Sequence, residues 1–322
     1  MVETVVVLDP IPEATAERLR ALLPPGLVLT HGRARDEAHL QEIIADADYA
    51  ISGQIGVPGS VLRAARRLKL LHKWGVGVDN LDIETARALG IKVARTTGSN
   101  AVPVAEFAIG LMIAALRHLA HGHANLARGH WTGGNFGRPS MQLSRKTVGI
   151  IGFGAIGQSV ARLLRGFECP VLYHQRTRLE PSAEAALNAT YAAVPELLAQ
   201  SDIVSLHCPL TPETAGLIDR AALQSMKASA VLVNVARGGV VIEPDLIWAL
   251  QNRIIHAAAM DVYETEPLPS DSPLIGVEGL ILTPHIAAHA SDNFAPTVRH
   301  MFGNIERVAR GEPIPERDVV VP

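Results

Sequence analysis

The feature that most constrains this chain is the alternation of short β-branched runs with amphipathic helical patterns along most of its length. The run TVVVLDP, for example, precedes the helical pattern EATAERLRALL, and the extended run LVLTHG follows that pattern. Such alternation predicts βαβ crossovers, in which parallel strands form a sheet that helices cover on both faces. We therefore expect an α/β protein.

The alternation occurs in two series, which predicts two doubly wound domains in a chain of 322 residues. Between the series lies the apolar segment NAVPVAEFAIGLMIAALRHLAHGHANLARG. We interpret it as one helix of roughly 25 residues that joins the domains. A last apolar helix, at 291–311, should return to the N-terminal domain. The prediction is a domain of residues 1–99 plus 290–322, with a second domain of residues 100–289 inserted into it.

Composition argues against several classes of function. A formal net charge of −3, from 29 Lys and Arg against 32 Asp and Glu, argues against a nucleic-acid-binding protein. Only Cys169 and Cys208 are present, so we expect no disulfide framework and a reducing compartment. The start of the chain does not resemble a signal peptide, and no apolar run approaches the ~18 residues that span a membrane. The prediction is a cytoplasmic protein without a membrane partner.

A glycine-rich turn opens the second series of strands and helices. Gly152, Gly154 and Gly157 form a G-x-G-x-x-G pattern between the apolar run VGII and an amphipathic helical pattern. The first glycine permits a tight turn, the second lets the backbone approach a pyrophosphate, and the third allows helix and strand to pack closely. Amides near Ala155 and Ile156 would then donate to the phosphates at the start of a helix. The pattern predicts a Rossmann dinucleotide-binding domain.

The tip of the next predicted strand lacks the acid that usually holds the ribose hydroxyls of NAD. The run VLYHQRT, residues 171–177, places His174, Gln175 and Arg176 there. A guanidinium can bind the 2′-phosphate of NADP bidentately, whereas a carboxylate would repel it. Arg176, supported by Arg178, therefore favours NADP(H), with NAD(H) also possible. The alternative is that Arg176 is a solvated loop residue and that the site accepts either cofactor.

Three residues with complementary chemistry follow strand-like runs in the inserted domain. Arg237 follows VLVNVA, Glu266 lies in the loop after AAAMDV, and His285 follows GLILTP. Because ligands bind at the carboxyl ends of strands in open α/β sheets, these side chains can converge in one crevice. An arginine can orient a carboxylate, a histidine can exchange a proton with a carbonyl or hydroxyl oxygen, and a glutamate beside the histidine favours the imidazolium form.

In these motifs the chain resembles the D-isomer-specific 2-hydroxyacid dehydrogenase family. The resemblance covers nearly the whole chain through GVGVDN, NAVPVAEFAIGLM, GIIGFGAIG, LHCPLTPET, NVARGG, DVYETEP and TPHIAA. It implies a flavodoxin-like substrate domain beside the Rossmann domain. It also implies that Arg237 orients the substrate, that His285 is the acid/base, and that Glu266 is the partner of the histidine.

The resemblance further implies the ligand contacts. Backbone amides near Val76 and Gly77 would bind the substrate carboxylate together with Arg237. The long apolar helix, from Val102 to Leu119, implies a homodimer. The residues that we expect at the cofactor are Gly152, Gly154, Ala155, Ile156, Gly157, His174, Gln175, Arg176, Cys208, Pro209, Val235, Ala236, Asp261, His285 and Ala287. Asp261 would lie near the nicotinamide carboxamide.

The chain departs from phosphate-handling members of the family at Gln54, where those members resemble one another in carrying arginine. The YHxR strand tip resembles NADP-using members, so the favoured hypothesis is an NADP(H)-preferring reductase of small 2-oxo acids such as glyoxylate or hydroxypyruvate. A phosphoglycerate dehydrogenase is the alternative enzyme. A non-catalytic, dinucleotide-sensing partner protein is the alternative from another class; the set of Arg237, Glu266 and His285 disfavours it.

Four histidines lie close together in RHLAHGHANLARGH, which raises the question of a zinc site. They are His118, His121, His123 and His130. No cysteine or acid lies within this segment to complete a tetrahedral ligand set. We therefore predict a solvated helix end and no metal site.

Overall fold

The computed structural model describes residues 2–131, 133–134 and 136–322. The chain divides into two compact units. The first unit comprises Met1–Asn100 and Ala290–Pro322, and the second comprises Ala101–His289. The second unit is therefore inserted into the first, which contains both ends of the chain.

The strands of the two units alternate with helices, as the pattern of apolar runs predicts. In chain order the strands are β1 (Glu3–Pro10), β2 (Leu27–Gly32), β3 (Tyr49–Ser52), β4 (Leu70–Lys73), β5 (Lys92–Arg95), β6 (Val148–Ile151), β7 (Val171–His174), β8 (Ala189–Tyr191), β9 (Ile203–Leu206), β10 (Val231–Asn234), β11 (Ala257–Met260), β12 (Leu280–Leu282) and β13 (Val319–Val321).

Most of the helices are short and lie between consecutive strands. They are α1 (Glu13–Arg20), α2 (Glu37–Ile44), α3 (Gly59–Ala64), α4 (Ile83–Ala88), α5 (Ala101–Leu116), α6 (Leu119–Ala127), α7 (Ala155–Leu164), α8 (Pro181–Leu187), α9 (Val194–Gln200), α10 (Arg220–Ser225), α11 (Glu243–Gln251) and α12 (Phe294–Ala309). Single 3₁₀ turns cover Arg165–Phe167, Gly238–Val240 and Glu316–Asp318.

The first unit is built on a six-stranded sheet with the order β2-β1-β3-β4-β5-β13. Strands β1 to β5 pair in parallel, and β13 adds an antiparallel edge to β5. The order 2-1-3-4-5 is that of a flavodoxin-like fold. Along β1, Val6 and Leu8 face one core while Val5 and Val7 face the other, against which α12 packs. The two-residue period therefore buries both faces of the sheet.

The second unit is built on a seven-stranded parallel sheet with the order β8-β7-β6-β9-β10-β11-β12. With β6 as the first strand, this order begins 3-2-1-4-5-6, which is that of a Rossmann domain. Val231 and Val233 of β10 lie in one core, and Leu232 between them lies in the other. The predicted α/β fold with two doubly wound sheets is confirmed, and the strand order reverses between β6 and β9.

The prediction of one long helix of roughly 25 residues is wrong. The segment forms α5 and α6, which are bent by 66° at a break where His118 adopts a left-handed conformation with φ +53°. The physical reason is packing: α5 buries residues such as Val104 and Met112 in the core of its unit, whereas the described residues of α6 include none that is buried. Within the described part of the chain, no single helix is long and apolar enough to cross a membrane, and α5 and α6 meet that test only when taken together.

Candidate active site

The glycine-rich turn lies directly after β6, where the strand order of the second unit reverses. Gly152 has φ +93°, and a Cβ atom there would lie 2.4 Å from the backbone nitrogen of Cys208. A Cβ atom on Gly157 would lie 2.4 Å from the carbonyl oxygen of Gly152. Glycine is therefore required at both positions, because the turn packs against the end of β9 on one side and against its own helix on the other.

The second glycine of the pattern, Gly154, faces open space instead. Gly154 is the N-cap residue of α7, and among the described atoms none lies within 4 Å of where its Cβ would be. No described side chain caps this helix, which begins at Ala155 and continues through Ile156. The first amides of α7 are thus available at the positive end of a ten-residue helix. The turn therefore fits a dinucleotide phosphate, which these amides would hold.

The tip of β7 carries two polar side chains that contact the backbone, and exposed Arg176 follows them. The Nδ1 atom of His174 lies 3.1 Å from the carbonyl oxygen of Ala192. The side-chain amide of Gln175 donates to the carbonyl oxygen of Thr177 over 2.6 Å. Arg176 is exposed in the loop that follows. A hydrogen bond with Thr211 lowers the pKa of Glu213, and the charge of Arg176 adds to that effect. The structure therefore places all three residues at the edge where the glycine-rich turn lies.

Arg178 is engaged elsewhere. Its guanidinium forms a bidentate pair with Glu184, with distances of 2.8 and 2.9 Å. Hydrogen bonds from Arg178 and then from Tyr173 lower the pKa of Glu184 to about 2. The guanidinium is therefore directed to α8, and Arg176 is the cation of this loop that remains as a candidate for the cofactor.

The remaining residues predicted at the cofactor follow the strands next to β6. Cys208 is buried directly beyond β9, and burial raises the pKa of its thiol to about 11. The thiol is therefore protonated near neutral pH and is not a nucleophile. The other residues in this group are exposed Pro209 after Cys208, buried Val235 and Ala236 after β10, and buried Ala287 after β12.

Glu266 and His285 form a direct pair in the second unit. The Nδ1 atom of His285 lies 2.5 Å from Oε2 of Glu266, and the backbone amide of Tyr263 donates to Oε1 over 3.0 Å. Burial opposes the ionisation of Glu266. The hydrogen bond and charge of His285, the Tyr263 amide and the charge of Arg237 outweigh it and keep the pKa of Glu266 below its usual value. The carboxylate is therefore ionised near neutral pH.

The loop that carries His285 is held by a buried carboxylate. His285 has φ +52°, and its amide donates to the carbonyl oxygen of Thr283 over 3.0 Å. Asp261 is fully buried; its Oδ1 atom accepts from the hydroxyl of Thr283 at 2.6 Å and from the amide of Ile286 at 3.0 Å. Its Oδ2 atom accepts from the amide of Ala287 at 2.8 Å. Both carboxylate oxygens of Asp261 thus fix the loop around His285.

Arg237 is placed by its neighbours in the chain and by a close backbone contact. The side chain of Asn234, at the end of β10, donates to the carbonyl oxygen of Arg237 at 2.9 Å and accepts from the amide of Ala236 at 3.0 Å. A Cβ atom on Gly238 would lie 1.8 Å from the carbonyl carbon of Tyr263. Only glycine therefore allows the Arg237 loop to approach the loop that leads to the glutamate.

The structure thus brings together the three predicted catalytic side chains. Glu266 contacts His285 directly, and the charge of Arg237 acts on Glu266. A cation, a carboxylate and an imidazole in one place can hold an anionic substrate and exchange a proton with it.

The predicted substrate amides belong to the first unit. Val76 and Gly77 lie in the loop after β4, at the carboxyl end of the sheet. This loop is fastened to the end of β5, because the amide of Thr96 donates to the carbonyl oxygen of Gly75 at 3.0 Å and the hydroxyl of Thr96 lies 3.1 Å from the Gly75 amide. Carboxyl ends of parallel strands are where ligands bind in such sheets.

Gln54 and Lys73 also lie at this edge of the first sheet. The amide of Gln54 donates to Asp9 over 2.8 Å, and the side chain of Gln54 is exposed. Lys73 is buried, and its ammonium group donates to the carbonyl oxygen of Gly53 and, over 2.8 Å, to the side chain of Asn80. The lysine therefore supports the loops of this edge from within the unit.

Two further residues organise the site and are not among those predicted from the sequence: Asn234 and Tyr263. Both lie inside motifs that were recognised, NVARGG and DVYETEP. An asparagine close before a loop commonly bonds to the backbone two or more residues further on, so Asn234 had a local signal. Tyr263 had none, because its hydroxyl contact with Thr283 joins segments 20 residues apart.

The histidine-rich segment forms ring contacts. The ring of His118 lies 5.1 Å from that of Phe136 and 5.5 Å from that of His256, measured between centroids. Burial lowers the pKa of His256 to about 4. Among the described residues, no group of three or more His, Cys, Asp or Glu side chains is arranged to hold a metal ion.

Most of the second unit also matches a family of known proteins. Residues 109–287 match the model of "D-isomer specific 2-hydroxyacid dehydrogenase, NAD binding domain". The chain is 34% identical over 310 residues to a D-3-phosphoglycerate dehydrogenase of Archaeoglobus fulgidus. The aligned region covers 96% of this chain and 58% of that protein. It is also 34% identical over 293 residues to a glyoxylate reductase of Korarchaeum cryptofilum, and that aligned region covers 90% of this chain and 85% of that protein.

The fold is also found among solved structures. An NAD-dependent formate dehydrogenase from Staphylococcus aureus, solved in complex with NAD, superimposes with a TM-score of 0.85 at 28% identity over 99% of both chains. The chain spans little more than half the length of the phosphoglycerate dehydrogenases that it matches, 58% of the Archaeoglobus protein.

Proposed function

Since the chain belongs to the D-isomer-specific 2-hydroxyacid dehydrogenase family, we propose that it transfers a hydride between NADP(H) and a small 2-oxo or D-2-hydroxy acid. The single observation that carries the proposal is the meeting of Arg237, Glu266 and His285 in one site of the second unit. A binding protein has no need for an acid/base pair beside an anion-binding arginine. The first unit is then the substrate domain and the second the dinucleotide-binding domain.

The chemistry that we propose divides among these side chains. Because Nδ1 of His285 is directed to Glu266, Nε2 is the nitrogen left to exchange a proton with the substrate oxygen. Arg237 holds the substrate carboxylate and orients its carbonyl. In the first unit, we assign the amides of Val76 and Gly77, at the carboxyl end of its sheet, to substrate binding. The bound dinucleotide supplies or accepts the hydride at its nicotinamide ring.

For the cofactor we propose a preference for NADP(H), with NAD(H) also accepted. Exposed Arg176, at the tip of β7, supports this choice because a guanidinium there suits a 2′-phosphate. Gln175 and His174 would line the adenosine side of the same edge. Both carboxylate oxygens of Asp261 already accept hydrogen bonds from the His285 loop. Asp261 would therefore act on the nicotinamide through the backbone of this loop.

For the substrate we propose glyoxylate or hydroxypyruvate. A phosphorylated three-carbon acid needs a second cationic anchor. The exposed side chain of Gln54 provides no charge for it, and the buried ammonium group of Lys73 is engaged by Gly53 and Asn80. The similarity to the Archaeoglobus enzyme keeps phosphoglycerate dehydrogenation as the second candidate.

We also propose a homodimer and a cytosolic setting. Val102, Leu119 and Leu126 are each more than half exposed on α5 and α6, so a second copy of the chain would cover apolar surface there. Both cysteines are unpaired and buried, which suits a reducing compartment.

The test is a steady-state panel of 2-oxo acids run with NADPH and with NADH. We expect the highest kcat/KM for glyoxylate or hydroxypyruvate with NADPH. Preference for 3-phosphohydroxypyruvate would favour the phosphoglycerate alternative. Absence of turnover across the panel, with dinucleotide binding retained, would favour a non-catalytic sensing protein.

A further inference from the structure

The hydroxyl of Tyr263 contacts the loop that carries the candidate acid/base. Tyr263 is buried, and its hydroxyl donates to the carbonyl oxygen of Thr283 at 2.9 Å, with the carbonyl oxygen of Met260 at 3.1 Å as a second acceptor. The Thr283 carbonyl also accepts the amide of His285 at 3.0 Å. One carbonyl oxygen therefore joins the tyrosine hydroxyl to the backbone of the histidine.

This carbonyl lies where the backbone is strained. His285 has φ +52°, a left-handed conformation that is unfavourable for a residue with a side chain. The surrounding contacts must hold it there. The hydroxyl of Tyr263 fixes the acceptor to which the His285 amide donates, so it acts on the conformation that directs the imidazole to Glu266.

Tyr263 also contacts the two other catalytic segments. Its backbone amide donates to Oε1 of Glu266 at 3.0 Å. Its carbonyl group lies against the Cα of Gly238, where a Cβ atom would come within 1.8 Å of the carbonyl carbon. Gly238 directly follows Arg237. One residue thus contacts the arginine loop, the glutamate and the histidine loop.

We propose that Tyr263 is a positioning residue, whose hydroxyl holds the His285 loop so that the imidazole meets Glu266. The inference rests on the proposed function, because it assigns a role within that site. It goes beyond the three catalytic side chains, since Tyr263 reaches the reacting atoms only through His285 and Glu266. Burial raises the pKa of Tyr263 to about 12, so its hydroxyl remains protonated and can donate near neutral pH.

The test is Tyr263→Phe, which removes the hydroxyl and keeps the ring and the backbone contacts. We expect kcat for the 2-oxo acid to fall by about threefold to tenfold, the factor that one hydrogen bond of ordinary net strength represents. KM for the acid and the dissociation constant of NADPH should stay unchanged. Tyr49→Phe is the matched control: Tyr49 is buried too, and its hydroxyl donates to a carboxylate, that of Glu3, within the first unit.

A spectroscopic measurement makes the result independent of turnover. The proton between His285 and Glu266 should give a downfield NMR signal, which His285→Gln identifies by removing it. We expect Tyr263→Phe to shift or broaden this signal and Tyr49→Phe to leave it in place. An unchanged signal, or a loss of kcat that Tyr49→Phe reproduces, would overturn the inference. If the wild-type protein turned over no 2-oxo acid, the proposed function would fail while the signal still decided the role of Tyr263.

Discussion

The Nδ1 atom of His285 lies 2.5 Å from Oε2 of Glu266, although 19 positions separate the two residues in the chain. The lowered pKa of Glu266 keeps the carboxylate ionised near neutral pH, so the imidazole is the donor in this contact. The pair fixes which ring nitrogen faces the glutamate. The opposite nitrogen is thereby directed to the substrate.

Removing the charge of Glu266 should move the pH dependence of the reaction. Reduction of a 2-oxo acid requires the imidazolium form, because the ring must donate a proton to the carbonyl oxygen. Reduction should therefore decline as pH rises, and oxidation of the 2-hydroxy acid should increase. We expect Glu266→Gln to move both inflections to lower pH, because the imidazolium form would lose its charge-assisted hydrogen bond to the carboxylate. The measurement is kcat/KM against pH in both directions, and an unchanged profile would contradict the assigned pairing.

Reversing the charge of Arg176 should change the choice of cofactor. A 2′-phosphate would lose a charge-assisted contact and meet repulsion, so Arg176→Glu should raise KM for NADPH at least about tenfold more than KM for NADH. Arg165→Glu is the matched control, because Arg165 is an exposed arginine beyond the opposite end of α7. Equal effects of Arg176→Glu on the two cofactors would refute the assignment.

Substrate selectivity should follow from Arg237 and Gln54. Arg237→Ala should lower kcat/KM for every 2-oxo acid and leave NADPH binding nearly intact, because the guanidinium is assigned to the carboxylate. With no second anchor, kcat/KM for hydroxypyruvate or glyoxylate should exceed that for 3-phosphohydroxypyruvate by at least about tenfold, or ~1.4 kcal/mol. Binding of each cofactor measured by fluorescence provides the control. A fully active Arg237→Ala variant, or a preferred phosphorylated substrate, would sink the assignment.

Stability should fall in mild acid because of a buried histidine. His72 is fully buried; its Nδ1 atom lies 2.9 Å from the carbonyl oxygen of Lys73, and its Nε2 atom lies 3.1 Å from Nδ2 of Asn304. Burial lowers the pKa of His72 from 6.5 to about 4, despite the nearby charge of Asp318. Below pH 6.5 the unfolded chain therefore binds a proton that the folded protein does not. Stability falls as pH decreases to about 4, by ~1.4 kcal/mol per pH unit.

The check is the free energy of unfolding in urea at pH 7 and pH 5. The wild-type protein should lose about 2 kcal/mol more than His72→Gln over this interval, since the amide does not titrate. His207 and His256 titrate in both proteins, so their contributions cancel in the comparison. Equal losses in the two proteins would contradict a neutral, buried His72.

The sequence by itself determined the class of fold and the nucleotide turn. Alternating apolar residues such as Val231, Leu232 and Val233 can satisfy both faces of a sheet only when helices cover both, so local periodicity was sufficient. The requirement for glycine at Gly152 and Gly157 is likewise readable from spacing. The apolar periodicity did not predict the helix break at His118. An apolar pattern does not show where the core ends against which a helix packs.

Only the tertiary structure decided how the site is assembled. The contacts of Glu266 with His285, of Tyr263 with Thr283, and of Gly238 with Tyr263 each join loops that follow different strands. Their distances depend on the order and register of β10, β11 and β12, which place three carboxyl ends side by side. Register is set by the packing of whole strands between two helical layers. A local pattern therefore predicts which residues reach the edge of the sheet, and only the assembled sheet fixes which of them touch.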